Sequence, residues 1–154
     1  FDVVRIVSPA ADAWLLQHGR FYFRQSESRR LTSASLFVTA SALAILLFSR
    51  EVASLAILFL TLGDPLAKYV GLEYGRIAID GRTLEGSIAY FVGGVAAGAA
   101  WMLLAPVTLG QVLVGAAAAA LTEASPLPVD DNFSVPLVSG LAMTIPTLLR
   151  APGF

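Results

Sequence analysis

Long apolar stretches separated by short polar segments dominate the chain. Five of these stretches approach the roughly 20 residues that an α-helix needs to cross the hydrocarbon of a bilayer. Their predicted limits are 32–48, 52–66, 87–104, 107–122 and 133–149. The pattern therefore predicts an all-α fold, a polytopic integral membrane protein with about five transmembrane helices.

The first 31 residues follow a different pattern. Apolar positions in 1–19 have a helical period, but Pro9 and several charged residues interrupt them, and 20–30 is basic and rich in aromatic residues. Such segments anchor at the headgroup level, so we expect 1–31 to form an interfacial helix or part of a span. Because the chain opens at Phe1 rather than at a methionine, we expect further N-terminal helices to be missing.

The composition supports a lipid environment. Hydrophobic residues make up 56% of the chain and charged residues 14%, against about 25% charged in soluble domains. With 154 residues we expect one transmembrane domain. A net charge of −1 gives no basic field for nucleic acid, and the absence of cysteine excludes disulfides and thiolate metal sites.

The basic residues are distributed unevenly between the two sides of the predicted bundle. Alternating spans place the N-terminal basic segment, 63–86 and 123–132 on one side, with eight of the ten Lys and Arg residues. Basic residues favour the cytoplasmic side, so we expect an active face in the cytoplasm.

The first polar cluster interrupts the second span at Gly63-Asp64-Pro65, followed by Lys68. A helix that breaks at this depth must be buried or line a wet cavity, and an acid there is a functional candidate. We predict a break and a role for Asp64 with Mg²⁺ or phosphate. The alternative is an ion pair between Asp64 and Lys68 that closes a helix end.

The second cluster is a polar segment, 68–86, which we predict to be a structured loop with a short hairpin at Asp80-Gly81. Glycine amides, arginines and a helix N-terminus form anion sites. The candidates for binding phosphate are Gly71, Gly75, Gly86, Arg76, Arg82 and Thr83. The alternative is that Thr83 simply caps the following helix.

The third cluster consists of oxygen-bearing side chains between the last two spans, namely Glu123, Asp130, Asp131 and Asn132. Such ligands suit Mg²⁺ bridged to phosphates, although a solvated acidic loop is the alternative. Glu27, Arg29 and Arg30 form a further group, either an interfacial anchor or a site for lipid headgroups or nucleotide phosphate. Metal ligands and phosphate-binding cations together indicate phosphoryl transfer, and they suit nucleotidyl transfer equally.

The order of these motifs over roughly 27–141 resembles the family of dolichol kinases, phytol kinases and CTP-dependent diacylglycerol kinases, which is related to phosphatidate cytidylyltransferases. The segments that carry the resemblance are Gly63-Asp64 with Ala67, Gly71 and Gly75, then 82–87, then Glu123, Asp130-Asp131-Asn132 and Pro136.

The resemblance implies phosphoryl transfer from CTP, with Mg²⁺, to the hydroxyl of a polyprenol, phytol or diacylglycerol in the bilayer. It makes Asp64, Lys68 and Asp131 the candidate catalytic residues. Asp64, Glu123, Asp130 and Asp131 become candidates for holding Mg²⁺ or nucleotide phosphate, and Lys68, Arg76 and Arg82 for neutralising phosphate charge. The alternatives are a cytidylyltransferase that forms a CDP-activated lipid and a non-catalytic membrane subunit or transporter. Small residues in the third and fourth spans also permit a homo-oligomer.

Overall fold

The computed structural model describes residues 2–18 and 31–149, and most of these residues are helical, which confirms the all-α prediction. The elements are α1 Asp2–Val7, α2 Pro9–His18, α3 Ser33–Leu47, α4 Arg50–Tyr74, β1 Ala78–Ile79, β2 Arg82–Thr83, α5 Leu84–Trp101, α6 Leu109–Ala124 and α7 Asp131–Leu149. The predicted group Glu27, Arg29 and Arg30 lies outside the described residues.

Helices α3, α5, α6 and α7 coincide with four of the predicted spans to within three residues at each end. Four helices begin at a hydroxyl residue whose side chain accepts a hydrogen bond from the first turn: α3 at Thr32, α4 at Ser49, α5 at Thr83 and α6 at Thr108. These caps satisfy backbone N–H groups that have no partner within the helix, and so they fix where each apolar helix begins.

The prediction of a broken second span is wrong, because α4 continues through Gly63-Asp64-Pro65 as far as Tyr74. The predicted loop therefore begins at Gly75 rather than at Lys68. Pro65 has no N–H to donate to the carbonyl of Thr61, a local defect that disfavours a helix. The helix persists because it packs against α3, α5, α6 and α7, and these tertiary contacts outweigh the local preference.

The predicted hairpin at Asp80-Gly81 is confirmed. Ala78 pairs with Thr83 and Ile79 pairs with Arg82 in an antiparallel register. The φ angles of Asp80 and Gly81 are 44° and 82°, and two positive values are what a two-residue type I′ turn requires. The hairpin directs Arg82 from the turn back towards the bundle.

Small residues bring the helices of the bundle close together. Gly94 of α5 lies against Ala116 of α6, and a side chain at Gly98 would collide with Val112 of α6. Gly115 faces Phe59 of α4 and Met143 of α7, both of which are fully buried. Close packing of the third and fourth predicted spans is thereby confirmed, and its basis is van der Waals contact across small residues.

Helices α1 and α2 precede the bundle, and α1 is joined to it by a buried carboxylate. Oδ2 of Asp2 accepts hydrogen bonds from the backbone N–H and the hydroxyl of Thr32, at 2.7 Å and 3.0 Å. Because Thr32 caps α3, this contact fixes the start of α1 beside the start of α3. The described part of the N-terminal segment, residues 2–18, is thus largely helical, and its interfacial position stays a prediction.

Among the described residues, α4 is the helix that is long and apolar enough to cross a membrane, while α3 and α6 are apolar but shorter. Many large hydrophobic side chains face outward; Leu46 is 80% exposed and Leu103 is 86% exposed. Length, composition and this exposed apolar surface are compatible with association with a membrane.

Gly63 offers a test of the close contact between α4 and α5. A Cβ atom there would lie 2.5 Å from the ring of the fully buried Tyr90, so Gly63→Ala is expected to lower the free energy of unfolding by about 1 to 3 kcal/mol. Thermal unfolding in detergent measures this change. Gly110→Ala is the control, because the nearest atom to its Cβ is 3.9 Å away, and its stability should be unchanged or slightly higher. Equal stability of the two variants would contradict the packing.

Candidate active site

The charged residues converge at one end of the bundle, around a cavity of about 440 Å³. Its walls come from the second half of α4, the hairpin, the first turn of α5, the end of α6 and the start of α7. The predicted site residues that line it are Lys68, Gly71, Arg82, Thr83, Gly86, Glu123 and Asp131. Three clusters that are distant in the sequence therefore meet in one place.

Arg82 is the centre of this arrangement. Its Nε donates to Oε1 of Glu123 at 2.8 Å, its Nη2 to Oδ2 of Asp131 at 3.3 Å, and its Nη1 to the carbonyl of Ser125 at 3.3 Å. The side chain thus connects the hairpin to the end of α6 and the start of α7. We predicted a phosphate ligand here; in this geometry the guanidinium is already held by two carboxylates, and a bound phosphate would share it with them.

Asp64 and Lys68 form the ion pair that we considered as an alternative, at 2.6 Å between Oδ2 and Nζ. Their side chains are 17% and 53% exposed, so Lys68 extends towards the cavity while Asp64 is mostly covered. The other carboxylate oxygen of Asp64, Oδ1, is buried and has no hydrogen-bond partner among the described residues. The pair therefore leaves half of the Asp64 carboxylate unsatisfied.

The predicted phosphate-binding glycines are positions of close packing. A Cβ on Gly86 would lie 2.8 Å from the carbonyl oxygen of Ala67, and one on Gly75 would lie 2.5 Å from the methyl group of Thr83. Gly71, inside α4, would likewise press on the Thr83 hydroxyl. Thr83 accepts from the N–H of Gly86 at 3.1 Å, which confirms the cap that we considered as an alternative. A phosphate-binding role for these glycines stays a prediction.

Arg76 and Asp130 do not line the 440 Å³ cavity. Arg76 is exposed between α4 and β1, close to Glu85, whose carboxylate accepts from the N–H of Ile77 at 3.3 Å. Hydrogen bonds from its own N–H and the N–H of Arg76 lower the pKa of Glu85. Asp130 precedes α7 and accepts from the backbone and side-chain N–H groups of Asn132, at 2.9 Å and 2.8 Å. The carboxylates of Glu85 and Asp130 thus stabilise local backbone turns.

A second, more open groove of about 620 Å³ shares part of its wall with the cavity, because Arg82 and Asp131 line both spaces. Its other lining residues are Asp130 and five apolar residues, namely Leu31, Leu36, Leu127, Pro128 and Val129. Leu127 and Val129 are each 49% exposed. The cavity and the groove therefore share one arginine and one carboxylate.

Glu123 and Asp131 occupy unusual electrostatic surroundings just outside the predicted spans. Burial raises the pKa of Glu123, against the opposing effect of Arg82. Burial also raises the pKa of Asp131, and the negative charges of Asp64 and Asp130 add to that increase. Ionisation of both carboxylates therefore costs free energy at this site, and an additional cation would reduce that cost.

Tyr90 is a site residue that the sequence analysis missed. It is fully buried in α5, and its hydroxyl has no hydrogen-bond partner among the described residues. Asp64, Glu123 and Asp131 are all close enough to act on this hydroxyl electrostatically. In the sequence, Tyr90 is one aromatic residue within an apolar span. The only feature that could have marked it is a hydroxyl group inside that span.

The predicted magnesium ligands fit the ion only in part. In the part of the chain that the structure describes, no three His, Cys, Asp or Glu side chains are grouped to hold a metal. Mg²⁺, however, commonly takes one or two protein carboxylates and completes its shell with phosphate and water. Asp64 and Glu123 suit that role because each has a buried oxygen without a partner. Asp130 instead accepts a hydrogen bond from Asn132, and Asp131 accepts one from Arg82.

Comparison with known proteins adds no relative: no protein-family model, curated protein or solved structure matches this chain.

The bridge formed by Arg82 leads to a stability test. Arg82→Gln leaves the 6%-exposed Glu123 without its charged partner, so we expect the free energy of unfolding to fall by roughly 1 to 3 kcal/mol. Adding Glu123→Gln to Arg82→Gln should recover part of the lost free energy of unfolding, because a neutral amide no longer requires a cation as its partner. Arg50→Gln, on the exposed start of α4, is the control. Thermal unfolding of the wild type, Arg82→Gln, Glu123→Gln and the double variant provides a double-mutant cycle, and additive changes would contradict the coupling.

Proposed function

We propose that this chain is a membrane lipid kinase that transfers the γ-phosphoryl group of CTP to the hydroxyl of a lipid alcohol. The observation that carries the proposal is that Lys68, Arg82, Glu123 and Asp131 line one cavity at one end of an apolar helical bundle. Phosphoryl transfer depends mainly on positioning and on charge neutralisation, which cations and carboxylates around one cavity supply.

The proposal includes an integral membrane position with about five spans. Large apolar side chains on the outside of α3 and in the turn after α5, such as Leu46 and Leu103, favour lipid over water as their surroundings. The charged site lies where α4, α6 and the hairpin end together. That end would face the cytoplasm at headgroup level, where both a lipid hydroxyl and a soluble nucleotide can reach it.

The two spaces that share Arg82 suggest how the substrates would be divided. The cavity, with Lys68 and Arg82, suits the triphosphate of CTP, because both cations can offset phosphate charge. The groove, with Leu31, Leu36 and Leu127 in its wall, suits the first carbons of a polyprenyl, phytyl or acyl chain. Asp131 lines both spaces and is therefore the carboxylate nearest to their junction.

In the transfer, the lipid hydroxyl oxygen attacks the γ-phosphorus and forms a new P–O bond. The bond from the γ-phosphorus to the bridging oxygen breaks, and CDP leaves with its electron pair. Asp131 would accept the hydroxyl proton, while Lys68 and Arg82 would stabilise the negative charge on the phosphates. Asp64 and Glu123 would hold Mg²⁺, whose chemistry is to neutralise phosphate charge.

Phosphoryl transfer is tested with γ-labelled CTP, with ATP for comparison, and a panel of polyprenol, phytol and diacylglycerol in detergent with Mg²⁺. We expect label in one of these lipids, and a loss of roughly 100-fold or more in Asp64→Asn and Asp131→Asn. Glu73→Gln is the matched control, because Glu73 is an exposed acid of the same helix, whereas Asp64 is mostly covered and pairs with Lys68 of the cavity wall.

The released products separate the candidate functions. Release of CDP with labelled lipid supports the kinase, whereas release of labelled pyrophosphate with a CDP-lipid supports a cytidylyltransferase. A wild-type chain that forms neither product in the presence of all three lipids would contradict both enzymatic proposals and favour a non-catalytic membrane subunit or transporter.

The chain has no cysteine, so each introduced cysteine reports on one position. We expect Asp80→Cys and Val129→Cys to react with a membrane-impermeant maleimide only after cells are permeabilised. Leu103→Cys, in the turn after α5, should react in intact cells. If residues 80 and 103 are labelled from the same side, α5 does not cross the bilayer.

A further inference from the structure

Tyr90 occupies a position that the contacts of the protein itself do not explain. Its ring lies so close to Gly63 that a Cβ atom there would be 2.5 Å from it, and the side chain is fully buried. Its hydroxyl has no hydrogen-bond partner among the described residues. A buried hydroxyl without a partner costs free energy, and most such groups in native proteins bind a partner, a water molecule or a ligand.

Two carboxylate oxygens are likewise buried and without a hydrogen-bond partner among the described residues. Lys68 binds Oδ2 of Asp64, and Arg82 binds Oε1 of Glu123. In each case the second oxygen, Oδ1 of Asp64 and Oε2 of Glu123, is buried and has no partner. Each carboxylate therefore uses one oxygen for a cation of the protein and leaves the other free.

The three unpartnered oxygens belong to one region. Asp64 follows the glycine on which the Tyr90 ring packs, and Lys68, which pairs with Asp64, lines the same cavity as Glu123. The hydroxyl nevertheless makes no direct hydrogen bond to either carboxylate. Polar groups that approach one another without direct contact are commonly bridged by a third species.

The charge balance distinguishes a cation from a single water molecule as that species. Three carboxylates form ion pairs at this end of the bundle, Asp64, Glu123 and Asp131, and the two cations that pair with them are Lys68 and Arg82. One negative charge is left without a partner in these pairs. A hydrated cation would supply the missing charge, and its bound water would donate a hydrogen bond to the tyrosine oxygen.

We propose that Asp64, Tyr90 and Glu123 enclose the site of a hydrated divalent cation, in which the free carboxylate oxygens ligate the ion and the Tyr90 hydroxyl oxygen accepts a hydrogen bond from an ion-bound water. The inference rests on the proposed function for the identity of the cation as Mg²⁺. It adds Tyr90 as a positioning residue, because a hydrogen-bond partner of an ion-bound water orients that water. Gly63 is then required because it gives the Tyr90 ring room beside Asp64.

The experiment measures binding of Mn²⁺, a spectroscopic substitute for Mg²⁺, to the full chain in detergent without nucleotide, by the loss of the electron paramagnetic resonance signal of free Mn²⁺. We expect Tyr90→Phe to weaken Mn²⁺ binding by roughly tenfold or more. Tyr69→Phe, which removes a hydroxyl from an exposed tyrosine of α4, should bind Mn²⁺ as the wild type does. Asp64→Asn should weaken binding at least as much as Tyr90→Phe.

Thermal unfolding of the metal-free proteins separates loss of the ion from loss of the fold. Tyr90→Phe keeps the ring on Gly63 and removes only the unsatisfied hydroxyl, so its metal-free midpoint should equal or exceed that of the wild type. Mn²⁺ should raise the midpoint of the wild type more than that of Tyr90→Phe.

Equal Mn²⁺ affinity in wild type and Tyr90→Phe would overturn the inference, and so would a wild-type chain that binds no Mn²⁺. If a wild-type chain that binds no Mn²⁺ without nucleotide still phosphorylates lipid from CTP in the presence of Mg²⁺, the proposed function stands and the ion enters with the nucleotide. If Mn²⁺ binding depends on Tyr90 but no lipid is phosphorylated, the cation site stands and the kinase proposal fails.

Discussion

The bridge from Arg82 to Glu123 and Asp131 is the interaction on which the site depends. Its three residues come from the hairpin, the end of α6 and the start of α7, which are far apart in the sequence. Glu123 is almost entirely buried, so its charge requires a partner, and the hairpin supplies that partner at 2.8 Å. The buried carboxylate of Glu123, at the end of α6, thereby fixes the position of the hairpin that connects α4 to α5.

Close packing between α4 and α5 makes this bridge possible. The hairpin and the first turn of α5 lie directly on α4 because Gly71, Gly75 and Gly86 have no side chains to keep the two apart. The same device recurs deeper in the bundle, where Gly63 admits the ring of Tyr90. Small residues therefore have two consequences here: they hold the helices together, and they bring Lys68, Asp64 and Tyr90 close to the carboxylates of α6 and α7.

The site consequently combines satisfied and unsatisfied charges. Lys68 and Arg82 each hold one oxygen of a carboxylate, while the second oxygens of Asp64 and Glu123 remain without protein partners. A structure that only needed ion pairs to close its helix ends would be expected to satisfy these atoms, since each unsatisfied buried oxygen costs free energy. The remaining negative charge is the physical basis for proposing a cation as a ligand.

The sequence by itself determined the all-α class, four helices to within three residues, the hairpin at Asp80-Gly81 and the cap at Thr83. These features follow from local hydrophobic length, turn chemistry and hydrogen bonding within one or two turns. Only the tertiary structure decided that α4 continues through Pro65, since contacts with four other helices outweigh a local preference. It also decided that Arg82 binds Glu123 and Asp131, and that Tyr90 packs on Gly63, next to Asp64. Such pairings join residues separated by tens of positions, and which side chains meet depends on how the helices pack rather than on any local pattern.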